Sequence, residues 1–255
     1  MRVIGAVMNE LVFHSYGGVE LKNAVAIVGF PSLGLVSSIA TSFLAKELKL
    51  DLIASITSPA FPPYAIVQNG IPVAPVRFYA GKRTTNVESD EGIDFNTIVV
   101  ITSEFVPKPE QMTAMADLII EWCRMNDVHT MITLDGIPIF EPDRYSTIGV
   151  GSTESARSMM EKYGIESFDD GMVRGLSAML LLKAAEEDFD VITLLGSARQ
   201  DMPDPKGAAK IMEPLVLMIP ELKLDTEPLY KEAVEIEEKI RNQQIQNYSN
   251  ENIYG

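Results

Sequence analysis

The sequence predicts an α/β protein in which a mainly parallel sheet is covered by helices on both faces. Three observations lead to this prediction. Short, almost wholly apolar segments recur along the chain, as strands buried on both faces require. Segments with apolar residues at helical spacing alternate with them, and this alternation is typical of parallel sheets. The 255 residues, of which 46% are apolar and 22% charged, are enough to form one large core.

The first third of the chain contains three predicted strands and one predicted helix. AVAIVGF, at 24–30, is a continuous apolar run that ends in a turn, and it predicts a buried strand. Apolar residues at helical spacing predict a helix over 35–49, and LIASITSP, at 52–59, predicts a strand closed by its proline. A further strand is predicted over 73–81. We expect it near an edge of the sheet, because Pro75 has no N–H group to donate.

The part of the chain from residue 97 onward shows a clearer alternation. TIVVITSEF, at 97–105, and TMITLDGIP, at 130–138, predict interior strands. A helix that starts after two prolines is predicted between them, over 109–125. GLSAMLLLKAAEE, at 175–187, predicts a largely apolar helix that leads into a buried strand at 190–197.

The C-terminal part of the chain differs from the body. We expect a single α/β domain over 1–220, whose last helix lies at 205–219. Residues 221–247 are charged and carry one narrow apolar stripe, so they predict a helix that packs on the body or on another subunit. Residues 248–255 are rich in Asn and Ser and have no periodicity, which predicts a flexible tail.

The composition restricts the classes of function. The formal net charge of −15 disfavours nucleic acid and anionic membranes as partners, since both repel an acidic surface. A single cysteine, Cys123, excludes an intrachain disulfide and suits the cytoplasm. No apolar run is long enough for a membrane-spanning helix, and the first residues lack a signal-peptide pattern. We therefore expect a cytoplasmic protein with no nucleic-acid or membrane partner.

No enzyme signature stands out in the sequence. GFPSLG, at 29–34, lies where phosphate-binding loops occur, but it matches neither GxGxxG nor GxxxxGK[ST], so an ordinary strand-to-helix turn is favoured. His14, His129 and Cys123 do not have the spacing of a metal site. The serines of GVGST and GLSAM lack the pattern of an activated nucleophile. The sequence thus predicts no catalytic residue, no metal and no cofactor.

One group of polar residues marks a possible ligand crevice. Asp135, Asp143 and Arg144 lie at or just past the carboxyl end of a predicted strand. In an open α/β sheet this is the usual position of a ligand site. The pattern predicts a location and not a particular chemistry.

Residues 57–75 are rich in proline and apolar side chains. Because proline fixes the backbone, this segment is expected to form a rigid loop. Phe61, Pro62, Pro63 and Tyr64 could be buried in the core or could form an oligomer interface, and the sequence favours neither.

Five segments occur together in an order typical of one family. They are GFPSLGLVSS (29–38), PAFPPY (59–64), TSEFVPKPEQ (102–111), GLSAMLLLKAAEE (175–187) and MPDPKGAAKIMEPL (202–215). Over residues 20–220 the chain resembles archaeal members of the proteasome assembly chaperone family, which are related to the second eukaryotic proteasome assembly chaperone. The resemblance implies a fold like that of nucleoside phosphorylases and a homo-oligomer, from trimer to pentamer. Ala178 and Lys206 depart from the family's usual GISGLL and PDPR and leave the subgroup open.

The resemblance also implies a role for Ile253, Tyr254 and Gly255. Proteins that bind the proteasome often end in an apolar residue, a tyrosine and any residue, and these three positions match that pattern. In such partners the tail enters a pocket between adjacent α-subunits of the 20S proteasome, where the terminal carboxylate meets a lysine. The tyrosine ring packs on the lip of the pocket. The leading hypothesis is therefore an ATP-independent assembly chaperone or activator that is not an enzyme.

Two alternatives stay open. One is a small-molecule or nucleotide-binding enzyme, such as an ATP-grasp-like ligase, with its site at the strand carboxyl ends. It is disfavoured because the lysines for phosphate and the paired ligands for Mg²⁺ are not found in the sequence. The other is a purely structural oligomer whose C-terminal helix joins the subunits.

Overall fold

The computed structural model describes residues 7–8, 10–82, 92–139, 144–222 and 224–231. These residues form twelve strands, five complete α-helices and the beginning of a sixth. The strands are β1 (Val7–Met8), β2 (Leu11–Ser15), β3 (Ala24–Gly29), β4 (Asp51–Thr57), β5 (Ile66–Gln68), β6 (Ile71–Val73), β7 (Val76–Lys82), β8 (Thr97–Ser103), β9 (Val128–Pro138), β10 (Thr147–Gly151), β11 (Glu166–Ser167) and β12 (Asp190–Ala198). The helices are α1 (Val36–Glu47), α2 (Pro109–Met125), α3 (Glu154–Lys162), α4 (Gly175–Glu186) and α5 (Pro205–Met218).

Ten of these strands form one mixed sheet in the order β1-β2-β4-β7-β8-β3-β9-β12-β10-β11. The four central strands, β8, β3, β9 and β12, are parallel to one another. On one side β7, β4, β2 and β1 extend the sheet by antiparallel pairing, and on the other side β10 pairs antiparallel with β12. The prediction of a mainly parallel sheet therefore holds for the centre only. The likeness to nucleoside phosphorylases stays a prediction.

Helices cover both faces of the sheet, as predicted. The apolar run of β3 shows why both faces must be covered, since its side chains alternate between two cores. Ala26 and Val28 belong to the core formed with α2 and α4, whereas Val25 and Ile27 belong to the core formed with α1, α3 and α5. Each fully buried aliphatic side chain contributes about 1.5–3 kcal/mol. Both faces of the central strands thus stabilise the fold.

The predicted elements of the body are present, but the position of one strand is wrong. The range of α2 equals the predicted helix, and the other predicted strands and helices agree within a few residues. The strand expected near an edge is β7, which lies inside the sheet between β4 and β8. Pro75 precedes β7, so its missing N–H group removes no bond from the ladder.

A hairpin lies within the proline-rich segment that was expected to be a rigid loop. Strands β5 and β6 pair antiparallel and form a small separate sheet. They are joined at Asn69 and Gly70, whose φ angles are 50° and 78°. Positive φ at both central residues is the geometry of the tight turn that Asn-Gly favours in hairpins.

The C-terminal helix is described only where it begins. Residues 227–231 are helical, and Leu229, the first residue of the predicted apolar stripe, is buried in the core with α1 and α5. The rest of the segment predicted as a helix and the tail at 248–255 lie outside the described residues. In the described part of the chain, no helix has both the length and the hydropathy to cross a membrane.

Candidate functional site

The carboxyl ends of β3, β8 and β9 meet at one edge of the sheet, because these strands are parallel neighbours. The helix after β3, α1, packs on one face of the sheet, whereas the helix after β8, α2, packs on the other. A crevice therefore opens where the chain leaves two adjacent strands in opposite directions. Ligands of open α/β sheets bind at this position.

A cavity of about 570 Å³ lies at this edge. Its walls come from the turn after β3, the loop after β8, the end of β9 and the segment before α4. Most of the lining is apolar and includes Phe30, Leu33, Ile137, Phe168, Met172 and Leu176. The polar side chains of the lining are Ser32, Asp135, Arg174, Ser177 and Gln200. A volume of this size and a largely apolar wall are typical of small-molecule sites.

Asp135 is the acidic side chain of the cavity. It lies near the end of β9, and its carboxylate accepts the N–H group of Gly136 at 2.8 Å and the hydroxyl of Ser177 at the start of α4. Burial raises the pKa of Asp135 from its usual range, and these two hydrogen bonds only partly oppose the effect. The site therefore holds a carboxyl group that is poorly solvated yet still able to accept further hydrogen bonds.

The GFPSLG turn is shaped by packing against the protein. Gly34 has a φ of 60°, and a Cβ atom there would lie 2.8 Å from the carbonyl oxygen of Arg199. Across the cavity wall, a Cβ atom at Gly136 would lie 2.6 Å from the carbonyl oxygen of Leu33. Both glycines are therefore required by close approach of backbone segments. This packing accounts for the glycines without a bound phosphate and agrees with the interpretation as an ordinary turn.

Asp204, in the MPDPK segment, connects this turn to α5. Its N–H group donates to the carbonyl oxygen of Gly34 at 2.7 Å. Its buried carboxylate caps α5 by accepting the N–H group of Gly207 at 2.9 Å, and it also accepts the N–H group of Arg199 at 2.9 Å. The hydroxyl of Tyr145 donates to the same carboxylate at 3.0 Å. Burial, together with the Asp204 charge, raises the pKa of Tyr145 to about 12.

The proline-rich segment packs against the loop after β8. Phe61 is buried, and its ring centroid lies 4.7 Å from that of Phe105. Tyr64 is 44% exposed, and its hydroxyl donates to the carbonyl oxygen of Glu104 at 3.4 Å. Pro62 is half-buried and Pro63 is exposed. Phe61 is therefore a core residue of the subunit, whereas Pro63 and Tyr64 remain available for an interface.

A buried arginine joins the hairpin to the same loop, and sequence reasoning missed it. Arg77 on β7 is only 2% exposed and forms an ion pair with Glu104. Its Nε group donates to the hydroxyl of Tyr79 at 2.9 Å, and that hydroxyl donates to Oε1 of Gln68 on β5 at 2.9 Å. Because a buried charge is stable only when paired and hydrogen-bonded, this network fixes the position of the hairpin on the body.

The residues predicted for the crevice are only partly brought together. Asp135 lines the cavity, but Arg144 is exposed and does not line it in the part of the chain that the structure describes. Asp143 lies outside the described residues, as do Ile253, Tyr254 and Gly255. Arg174 and Ser177 belong to the site and were not predicted. The sequence does contain a hint of them, because both lie at the predicted start of the helix at 175. Helix N-termini often face ligand sites at strand ends.

The residues weighed as metal ligands lie apart from this site. His14 makes a hydrogen bond to Thr57 at 2.7 Å, and His129 lies 3.0 Å from Asp127. Cys123 is fully buried, and burial raises the pKa of its thiol. Among the described residues, no group of three or more His, Cys, Asp or Glu side chains could hold a metal ion.

Comparison with known proteins gives consistent matches over almost the whole chain. The PAC2 family matches residues 26–244. An uncharacterized protein of Methanocaldococcus jannaschii is 29% identical over 234 residues, which cover 92% of this chain and 91% of that protein. The crystal structure of Pyrococcus furiosus PbaA, an archaeal homolog of proteasome-assembly chaperone, is similar with a TM-score of 0.80 and 31% identity, covering 94% of both chains.

A second solved structure extends the comparison of the fold. Pyrococcus furiosus PbaB, an archaeal proteasome activator, is similar with a TM-score of 0.75 and 20% identity. The match covers 93% of this chain and 100% of PbaB. At this identity the likeness concerns the fold alone, whereas the family match spans most of the sequence. The chain therefore belongs to the PAC2 family.

Proposed function

We propose that this protein is an ATP-independent, non-enzymatic partner of the 20S proteasome that acts in the cytoplasm as an assembly chaperone or activator. The observation that carries the proposal is the similarity to PbaA, which extends over 94% of both chains at 31% identity. PbaA is a homolog of proteasome-assembly chaperone, and PbaB, which shares the fold, is a proteasome activator. The proposal extends this proteasome-related role to the present chain.

We propose further that Ile253, Tyr254 and Gly255 bind the α-subunits of the 20S ring. A tyrosine offers a large apolar area and one polar group at a small entropic cost. A carboxylate that pairs with a lysine in a partly dry pocket makes a strong, charge-assisted hydrogen bond. Residues 248–255, if extended, span about 28 Å. That length lets the three residues reach a pocket away from the body.

The oligomer that we propose, from trimer to pentamer, would use the exposed part of the proline-rich segment as its interface. Val67 and Ile71 on the hairpin are 69% and 64% exposed, and Tyr64 precedes them. Aromatic and aliphatic side chains of this kind are typical of subunit interfaces. Several tails on one oligomer would then bind a ring together, so that weak single contacts give strong overall binding.

The tail is tested by replacing one tyrosine and keeping another. Tyr254→Ala is expected to weaken capture of 20S particles by roughly 30-fold or more, since truncating an interface anchor costs about 2 kcal/mol or more. Tyr248→Ala removes the same side chain six positions earlier in the sequence and is expected to leave binding unchanged. Binding is measured by biolayer interferometry on immobilised 20S particles. Equal affinity of Tyr254→Ala and the unaltered protein would exclude the tail mechanism.

The interface is tested by adding charge to the hairpin. The double variant Val67→Asp and Ile71→Asp is expected to lower the oligomer mass measured by size-exclusion chromatography with light scattering. If the hairpin is the interface, each new carboxylate would be buried between subunits without a partner, which is strongly unfavourable. Leu217→Asp is the control for adding a carboxylate at an exposed apolar position of another element, since Leu217 is 59% exposed on α5. If only the control changes the mass, or if neither variant does, the hairpin is not the interface.

A further inference from the structure

The cavity at the carboxyl ends of β3 and β9 has a chemical character that the proteasome proposal does not use. Its walls are apolar, but one acidic side chain, Asp135, lies among them near the end of β9. Arg174 is the other charged side chain of the lining in the described part of the chain, and it is exposed at the start of α4. The cavity therefore combines apolar walls with one inner carboxyl group.

This arrangement disfavours a phosphate-bearing ligand. A phosphate inside the cavity would meet the carboxylate of Asp135, and no lysine lines the cavity in the described residues. The glycine turn beside the cavity is packed closely against other backbone, since Gly34 of the turn lies against Arg199 and Leu33 of the turn lies against Gly136 on β9. The net charge of −15 also repels anions and attracts cations.

The same arrangement suits a ligand that donates hydrogen bonds. A carboxylate has about four lone-pair positions, and Asp135 uses two of them for Gly136 and Ser177. A third donor, supplied by a ligand, would complete its coordination. An ammonium group would also compensate the charge that burial leaves poorly solvated, and such charge-assisted hydrogen bonds are the stronger ones.

We propose that this cavity binds a small amphipathic amine, whose apolar body packs against Phe30, Leu33 and Phe168 and whose ammonium group donates to Asp135. The apolar area of the walls supplies most of the affinity, and the carboxylate selects the head group. Arg174, which also lines the cavity, opposes a second positive charge on the ligand. This binding site lies in the body of the subunit and does not depend on the proposed role of the tail.

The experiment compares three probes that share one indole body and differ in the head group. Tryptamine carries an ammonium, tryptophol a neutral hydroxyl and indole-3-propionate a carboxylate. Each is titrated by isothermal calorimetry to about 10 mM, where binding of weak, fragment-sized ligands is still measurable. We expect tryptamine to bind more tightly than tryptophol, and tryptophol more tightly than indole-3-propionate. Absence of tryptamine binding, or tighter binding of the carboxylate, would overturn the proposal.

Two variants assign the effect to Asp135. Asp135→Asn keeps an acceptor for Gly136 and is expected to weaken tryptamine binding about tenfold or more, through loss of one charge-assisted hydrogen bond. Asp170→Asn removes an exposed carboxylate from the segment before α4 and is expected to leave affinity unchanged. Equal losses in both variants would mean that overall charge, and not the cavity, attracts the amine.

The outcome is separable from that of the proteasome proposal. Asp135→Asn is expected to capture 20S particles as well as the unaltered protein does, while Tyr254→Ala is expected to bind tryptamine normally. If Asp135→Asn does not fold, the head-group series on the unaltered protein still decides the question. Stabilisation by ATP with Mg²⁺ but not by tryptamine would replace the amine with a nucleotide and refute the inference.

Discussion

Replacing Asp204 with alanine is expected to destabilise the protein more than any other single change in its loop. Asp204 is 3% exposed, and its carboxylate accepts hydrogen bonds from Gly207, Arg199 and Tyr145. The first bond caps α5, and the second holds the chain as it leaves β12. The variant Asp204→Ala leaves all three donors without this acceptor.

The magnitude follows from the groups that lose their partner. Loss of an N-cap costs about 1 kcal/mol. Removing the acceptor of a backbone N–H group, here the Asp204 carboxylate that accepts from Arg199, costs about 1–3 kcal/mol. The sum is about 2–4 kcal/mol, and in a chain of this size each kcal/mol lowers the Tm by roughly 2–4 °C. We therefore expect a fall in Tm of roughly 4–16 °C.

Thermal unfolding followed by circular dichroism measures this effect at one fixed protein concentration. Asp204→Asn keeps the capping oxygen but loses the second acceptor, so its Tm is expected between those of Asp204→Ala and the unaltered protein. Asp201→Ala is the control, because Asp201 is exposed in the same loop. A Tm of Asp204→Ala that equals that of Asp201→Ala would refute the reasoning.

Two further predictions concern buried groups. Cys123 is fully buried, and burial raises the pKa of its thiol. The folded protein is therefore expected to react with Ellman's reagent many times more slowly than the protein unfolded in urea, as followed by absorbance. Equal reaction rates would contradict the burial of Cys123. Burial also raises the pKa of Asp135 above the value of about 3.9 for an unfolded chain, so ionisation of Asp135 destabilises the folded state above that pH. Asp135→Asn is therefore expected to raise the Tm at pH 7, and the difference in Tm between the variant and the unaltered protein is expected to shrink as the pH falls towards 4. A variant with a lower Tm than the unaltered protein at pH 7 would contradict this expectation.

The elements of the sheet centre could be predicted because burial on both faces leaves an unmistakable pattern. Strand β3 is a continuous apolar run and β8 and β12 are largely apolar, while α2 begins at Pro109, the second of the two prolines that mark its start. By contrast, three of the five residues of β10 (TIGVG) are glycine or threonine, so this strand carries little apolar signal. The helix α3 was missed although Thr153 caps it by accepting the N–H group of Ala156. The polar composition of α3 concealed its single apolar side.

The direction of the outer strands could have been predicted from the connections. Parallel neighbours need a crossover of a dozen or more residues, usually a helix. No helix was predicted between the strands at 52–59, 73–81 and 97–105, so antiparallel pairing was the simpler expectation. The structure has this pairing, with β4 next to β7 and β7 next to β8. In the same segment, Asn69-Gly70 was a hairpin signal that the prolines obscured.

The candidate site shows the limit of sequence reasoning more sharply. Asp135 was found because a residue near a strand's carboxyl end faces the usual crevice of the fold. Ser177, which bonds to it, is 42 positions further along the chain, after β10, α3 and β11. Only the topology places the start of α4 beside the end of β9. Residues that meet in this way have no common pattern in the sequence.

The energetics of Asp135 give a physical reason to seek a ligand for the cavity. A carboxyl group whose pKa is raised by burial makes the folded state less stable at neutral pH than an uncharged group of the same shape would. The hydrogen bonds from Gly136 and Ser177 do not remove this penalty, because the pKa stays raised. A residue that only filled space there would be more stable as asparagine or an apolar side chain. A carboxyl group with a raised pKa in an apolar cavity is a feature found at ligand sites, and the head-group series tests whether this cavity is one.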